Sequence, residues 1–246
     1  MANPDTPIGW LTEAELVMHR LRSFHQERVG LIRDDKSHVR LSDPSRLIVH
    51  LLPEAVVRAP KFVPAADLKR AAQSIRLLGE RNGYGYRQNR YNADGLLLYD
   101  GREAVRGYSQ LHRNGIYEGV MAEAAFQHPK EQAKVFREDS CEEAIISALA
   151  GYLPFAKVLA LEPPFWMLVA LVGCEGARIC TDRTFRDLSE HGIDRNLVWL
   201  PETKIDGFDI DPVNRLRPVC DVLWNAVGME RSFSYDEQGN RKPRQQ

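Results

Sequence analysis

Seven histidines, four cysteines and 34 acidic residues supply the reactive groups of this 246-residue chain. The first question is which of them stand at spacings that chemistry can use. His50 sits inside the run Leu47-Ile48-Val49-His50-Leu51-Leu52, where a strand would hold an imidazole rigidly enough for proton transfer. A core histidine with satisfied nitrogens fits the same apolar flanks and is the commoner case. His112 lies just before a hairpin turn, where exposure is expected. His19 and His25 are six residues apart and so point to different faces of a helix. No H-E-x-x-H, paired Cys/His or EF-hand spacing occurs, and no metal is expected. Cys141, Cys174, Cys180 and Cys220 lack C-x-x-C spacing and read as reduced thiols of a cytosolic protein. A G-x-S-x-G elbow and a Walker loop are both missing, and Gly83-x-Gly85 stops short of a dinucleotide loop, so no cofactor is expected.

One acidic pattern has catalytic precedent. Glu202-Thr203-Lys204 follows the strand-like Leu197-Val198-Trp199-Leu200, with Asp182, Asp187 and Asp194 upstream. In restriction-type nucleases such carboxylates hold Mg²⁺ while the lysine polarises the attacking water or the phosphate. Asp182, Glu202 and Lys204 are therefore the residues of an alternative reading as a Mg²⁺-dependent nuclease. Against it, Pro201 would interrupt a central strand, and a three-residue pattern arises often by chance.

Charge is more informative. The net charge of −1 rules out a polycation or polyanion. Between Arg46 and Arg113, however, twelve Lys/Arg face six Asp/Glu, a local surplus of +6. Six of the eight tyrosines (Tyr84, Tyr86, Tyr91, Tyr99, Tyr108 and Tyr117) fall in that stretch or just beyond it. Arginine interleaved with aromatics on a sheet is the composition of a single-strand nucleic-acid surface, where bases stack on rings and guanidinium groups follow phosphates. The candidate nucleic-acid-binding residues are Arg81, Tyr84, Tyr86, Arg87, Arg90, Tyr91, Arg106 and Arg113. Tyrosine is also common in strands for packing reasons alone.

The elements that must position these residues follow from spacing. Thr12-x-x-Glu15 is a capping box that opens a helix to about Asp34, with Val17, Leu21, Phe24, Arg28 and Leu31/Ile32 on one face. Leu47 to Leu52 reads as a central strand. Asp67 to Leu78 reads as a helix. Asp100-Gly101 and Asn114-Gly115 divide Gly95 to Met121 into a three-stranded antiparallel meander. Ser140-x-x-Glu143 reads as a second capping box, opening a helix to about Leu161 that Pro154 should kink or split near Gly151. Phe165 to Val172 is a buried strand turning at Glu175-Gly176 into Ala177 to Thr181, and Pro218 to Val227 a last helix. The expected architecture is one α+β domain over residues 1–228: a meander and further strands against a long N-terminal helix, a kinked central helix and a short C-terminal helix. Residues 229–246 are expected to be a polar, disordered tail. Neither a secretory leader nor a membrane span is visible, so the reading is cytoplasmic.

Several stretches together resemble a known family. They are Phe24-His25-Gln26-Glu27-Arg28-Val29-x-x-Ile32, Arg46 to Pro53, Tyr91-Asn92-Ala93-Asp94-Gly95-Leu96, Tyr108 to Gly115, and Leu216 to Gly228. The set is similar to the C-terminal region of bacterial Schlafen-like proteins, behind their AlbA-type nucleic-acid-binding domain. That N-terminal domain has no counterpart here, so no functional residue is carried over. The resemblance implies a bacterial accessory region linked to DNA transactions or antiviral defence. Residues and resemblance together give a non-catalytic binding module. Its candidate partners are DNA or RNA, a separate protein subunit, or a second copy of the chain. A pure protein-interaction or oligomerisation role stands as a further alternative.

Overall fold

The computed structural model describes residues 11–59, 61–80, 87–101, 103–128, 133–180 and 188–242. Arg81, Tyr84, Tyr86 and Asp182 lie outside the described residues, and of Arg87 only the backbone is described.

Helix α1 (Glu13–Arg33) begins where the capping box places it. The Thr12 hydroxyl accepts from the Glu15 amide, and the Glu15 carboxylate accepts from the Thr12 amide. Strand β1 (Arg46–Pro53) follows and is buried along its whole length. Then come α2 (Ala55–Arg58), α3 (Ala65–Ala71), β2 (Arg87–Tyr91), β3 (Gly95–Asp100), β4 (Gly107–His112), β5 (Tyr117–Ala122), β6 (Ala125–Gln127), β7 (Lys134–Phe136) and α4 (Glu138–Val158). The chain continues through β8 (Phe165–Val172), β9 (Leu197–Trp199), β10 (Thr203–Ile205), α5 (Pro212–Arg215) and α6 (Arg217–Asn225). Among the described residues no helix is long and apolar enough to cross a membrane.

The main sheet runs β10-β8-β1-β5-β4-β3-β2, with β9 also on β8 and every pair antiparallel. The structure is α+β, as expected. β1 lies between β5 and β8 because it brings Leu47, Ile48, Val49, Leu51 and Leu52, each worth ~1.5–3 kcal/mol when fully buried. Period-two alternation divides these between two covered faces. Leu47, Val49 and Leu51 join Leu96, Leu98, Leu111, Tyr117 and Met167 in the core that includes α4. Ile48 and Leu52 turn the other way, toward Val29 and Ile32 at one end of α1 and Val17 and Leu21 at the other. Arg46, counted in the basic surplus, is itself buried. Its guanidinium is spent on the Ile32 carbonyl at the end of α1 and on Asp35.

The expected meander is present as β3, β4 and β5. Gly101 and Gly115 take positive φ of 92° and 88°, the conformations for which those turns were read. The loops are longer than two residues, and β2 extends the meander by a fourth strand. Five expectations need correction. The helix expected over 67–78 stops at Ala71, with one 3-10 turn to Ser74, and Ile75 is already extended. Ile75, Leu77 and Leu78 are buried from an extended segment instead. Helix α4 starts at Glu138, so Ser140 lies inside its first turn and the N-cap position falls to Arg137. Pro154 does not split that helix. Pro154 and Ala150 are both exposed, so the carbonyl that the missing N–H leaves free is open to solvent. Residues 177–180 form only isolated bridges rather than a strand.

The tail is the fifth correction. Residues 229–242 fold back on the molecule, with Ser232 and Tyr235 buried. Ser232 Oγ and Trp224 Nε1 both donate to Glu142 on α4, and Tyr235 Oη donates to the Val213 carbonyl. A buried glutamate needs such donors, and the polar composition of the segment hid that role. Residues 243–246 lie outside the described residues.

Candidate functional site

The described members of the expected nucleic-acid surface divide into separate places. Arg90 and Tyr91 are exposed on β2, the last strand of the sheet, and Arg90 Nη2 donates to the His38 carbonyl at 2.8 Å. Arg106 and Arg113 lie just beyond opposite ends of β4, seven residues and therefore ~23 Å apart. Arg106 pairs with Asp100 (3.4 Å) at a hollow of about 320 Å³ that Glu80, Glu123 and Arg137 also line, so carboxylates face both guanidinium groups there. Arg113 stands with its guanidinium 5.1 Å from the centre of the Phe62 ring.

The tyrosines do not share one solvent-facing patch. Tyr108 is buried on the α1 face and Tyr117 on the α4 face, while Tyr99 is half-buried. The physical reason is the sheet's width: α1 covers one side of the meander and α3 with α4 the other, so no broad outer face is left for solvent.

The nuclease residues are also engaged elsewhere. Both Glu202 oxygens accept from Arg22 on α1, at 2.6 and 2.8 Å. Lys204 Nζ lies 3.0 Å from Asp206. Asp182 falls outside the described residues.

What the structure does bring together is a polar cluster in the middle of the α1–sheet interface. His25 and Arg28 come from successive turns of α1, and His38 from the loop behind it. His50 comes from β1, Tyr108 and His112 from β4, and Glu118 from β5. Antiparallel register sets His50 directly opposite Glu118, whose carboxylate is fully buried. Its Oε2 accepts from Arg28 Nε (2.7 Å) and His50 Nε2 (3.0 Å), and its Oε1 from Arg28 Nη2 (2.9 Å) and Tyr108 Oη (2.8 Å). Burial pushes this carboxyl up, but the Arg28 and His50 hydrogen bonds outweigh it and hold Glu118 well below the usual carboxylate range. Burial, followed by the Glu118 charge, pushes the Tyr108 phenol up, keeping it a donor.

Proton positions follow from donor chemistry. Arg28 can only donate, so His38 Nε2, 2.9 Å from Arg28 Nη2, accepts. His50 uses its Nε2–H on Glu118, and its Nδ1 lies 2.6 Å from His25 Nδ1. A contact this short between two ring nitrogens requires one proton shared between them. Burial, then the neighbouring His50, holds His25 well below an ordinary imidazole, and burial lowers His38 likewise. His112 is held near 4, first by burial, and its Nε2 is buried with no hydrogen-bond partner among the described residues. The exposure expected for His112 is thus corrected: its ring turns under α1, with the Phe24 ring edge-on at 5.8 Å.

Every lone-pair direction of Glu118 is occupied, so the cluster clasps α1 to the sheet through fixed charge. Among the described residues no set of three His, Cys, Asp or Glu is arranged to hold a metal ion. Sequence reasoning singled out His50 and noticed Arg28 on an apolar helix face, but missed Glu118 and His25. The available signal was a set of ionisable residues at core-facing positions of predicted elements.

Comparison with protein-family models, with curated proteins and with solved structures found no match.

Proposed function

We propose that this chain is a non-catalytic binding module of a bacterial Schlafen-like system. It contacts nucleic acid, or a protein that handles nucleic acid, through the β2 side of its meander. The observation that carries the reading is the terminal strand: β2 pairs only with β3 among the described residues, and it turns Arg90 and Tyr91 to solvent. It also continues directly from Arg81-Asn82-Gly83-Tyr84-Gly85-Tyr86, the part of the sequence richest in arginine and tyrosine. An edge of this kind offers cations for phosphates and rings for bases. The accessory role is favoured over nuclease chemistry because Glu202 and Lys204 are each held in an ion pair.

The test is an anisotropy titration of labelled single- and double-stranded DNA and RNA at low ionic strength. The expected result is an affinity that falls as salt rises and weakens when Arg90 and Tyr91 are replaced together by Ala. Absence of binding to all four probes overturns direct contact, and a partner protein recovered through the same edge then becomes the reading.

A further inference from the structure

Phe62 is the most exposed large apolar side chain among the described residues, at 70%. It was not among the residues expected to bind anything. It precedes Val63, which is fixed in the core, and the Val63 amide donates to the Arg113 carbonyl at 2.6 Å. Arg113 is in turn tied to the β2–β3 turn: its amide donates to the Asp94 carbonyl at 2.8 Å and its Nε to the Ala93 carbonyl at 3.2 Å. Three segments therefore meet at this end of the meander: the approach to α3, the β2–β3 turn and the β4–β5 turn. Exposed Tyr91 closes β2 two residues before Ala93.

The arrangement has the parts of a stacking platform. One face of the Phe62 ring lies under the Arg113 guanidinium, which holds the ring in place and supplies positive charge beside it. An aromatic ring kept in water in this way is costly unless something covers it. Lys61 stands next to it in sequence, with its Nζ bound to the Leu159 and Ala160 carbonyls just past the end of α4. Lys61, Arg113 and Arg90 give this end of the meander its positive charge, against exposed Asp94. A flat hydrophobic ring flanked by cations is complementary to a nucleobase and its phosphate, and a duplex does not present an unstacked base.

We propose that Phe62, held by Arg113, stacks one base of a single-stranded nucleic acid whose backbone continues past Tyr91 and Arg90. This inference rests on the nucleic-acid reading above and names its substrate class as single strands.

The experiment measures anisotropy of labelled twelve-residue oligo-dT and oligo-U, and of a duplex of equal length, against the whole chain. Phe62→Ala is expected to weaken single-strand binding about tenfold and leave duplex binding within about twofold, with Phe62→Trp restoring the single-strand affinity. Arg113→Ala should lower the dependence of log affinity on log salt by about 0.7, the share of one single-strand phosphate. Wild-type affinity in Phe62→Ala, or an equal loss for duplex and single strand, overturns the platform while leaving the binding module standing. If the unaltered chain binds none of the three probes, the platform and direct contact with nucleic acid both fall.

Discussion

Acid should loosen α1 well before it unfolds an ordinary domain, and the histidine clasp gives the size of the effect. An unfolded histidine takes up its proton near pH 6.5, whereas His112 in the fold does so only near 4. Between those values the unfolded chain carries a proton that the folded chain refuses, so the stability His112 contributes is complete above pH 6.5 and drains as pH falls toward 4. At ~1.4 kcal/mol per pH unit the loss from this ring alone is about 2 kcal/mol at pH 5 and about 3 kcal/mol in all. His25 and His38 are lowered too and add to the loss in the same direction. Glu118, held below its ordinary value, adds a further loss at still lower pH. Facing these groups are Arg28 from α1, His50 from β1, Tyr108 from β4, Arg90 from β2 and Asp94 from the β2–β3 turn. The assay is urea unfolding followed by tryptophan fluorescence at pH 7.5, 6, 5 and 4.5. Wild type should lose at least 2 kcal/mol between pH 7.5 and 5, and His112→Leu should be flatter by about 2 kcal/mol over the same range. Equal stability of wild type at pH 7.5 and 5, or an unchanged slope in His112→Leu, refutes the reasoning.

Three other outcomes follow from particular contacts. Glu118→Gln leaves the Arg28 guanidinium buried without its carboxylate and should cost ~3–5 kcal/mol, against about 1 kcal/mol for Tyr108→Phe, which deletes one donor; thermal unfolding by circular dichroism ranks the two. Removing residues 229–246 takes Ser232 from buried Glu142 and Phe233 from Trp224, and should lower Tm by roughly 5 °C in calorimetry. Glu202→Ala breaks a largely exposed pair with Arg22 and should shift stability by less than ~1 kcal/mol. The wild type should leave plasmid DNA uncut in Mg²⁺, and cutting that Glu202→Ala abolishes would establish the nuclease reading instead.

How much of this was legible depends on whether the information was local. The capping box at Thr12, the apolar run of β1 and the glycines at 101 and 115 each state a backbone preference within a few residues, and each is found where it was read. Helix α3 and the tail were misread because Ile75, Leu78 and Ser232 take their conformation from what they pack against. The clasp is the clearest case. His25 and Glu118 are 93 positions apart, and nothing in either neighbourhood says that α1 will lie across β1 and β5. The tyrosines failed for the opposite reason: their composition was suggestive, but two covered faces leave little of a wide sheet open to water. Phe62 gave no signal in sequence at all, since a lone phenylalanine before Val63 reads as core.

Photo-crosslinking mapped by mass spectrometry tests the central claim most directly. A single strand carrying 4-thio-uracil is irradiated with the chain at low salt, and the modified peptides are identified. The account predicts adducts on the peptides containing Phe62, Arg90–Tyr91 and Arg113, together with the Arg81–Tyr86 segment. Adducts confined to the β8–β10 side of the sheet, or a chain that emerges unmodified, would contradict it.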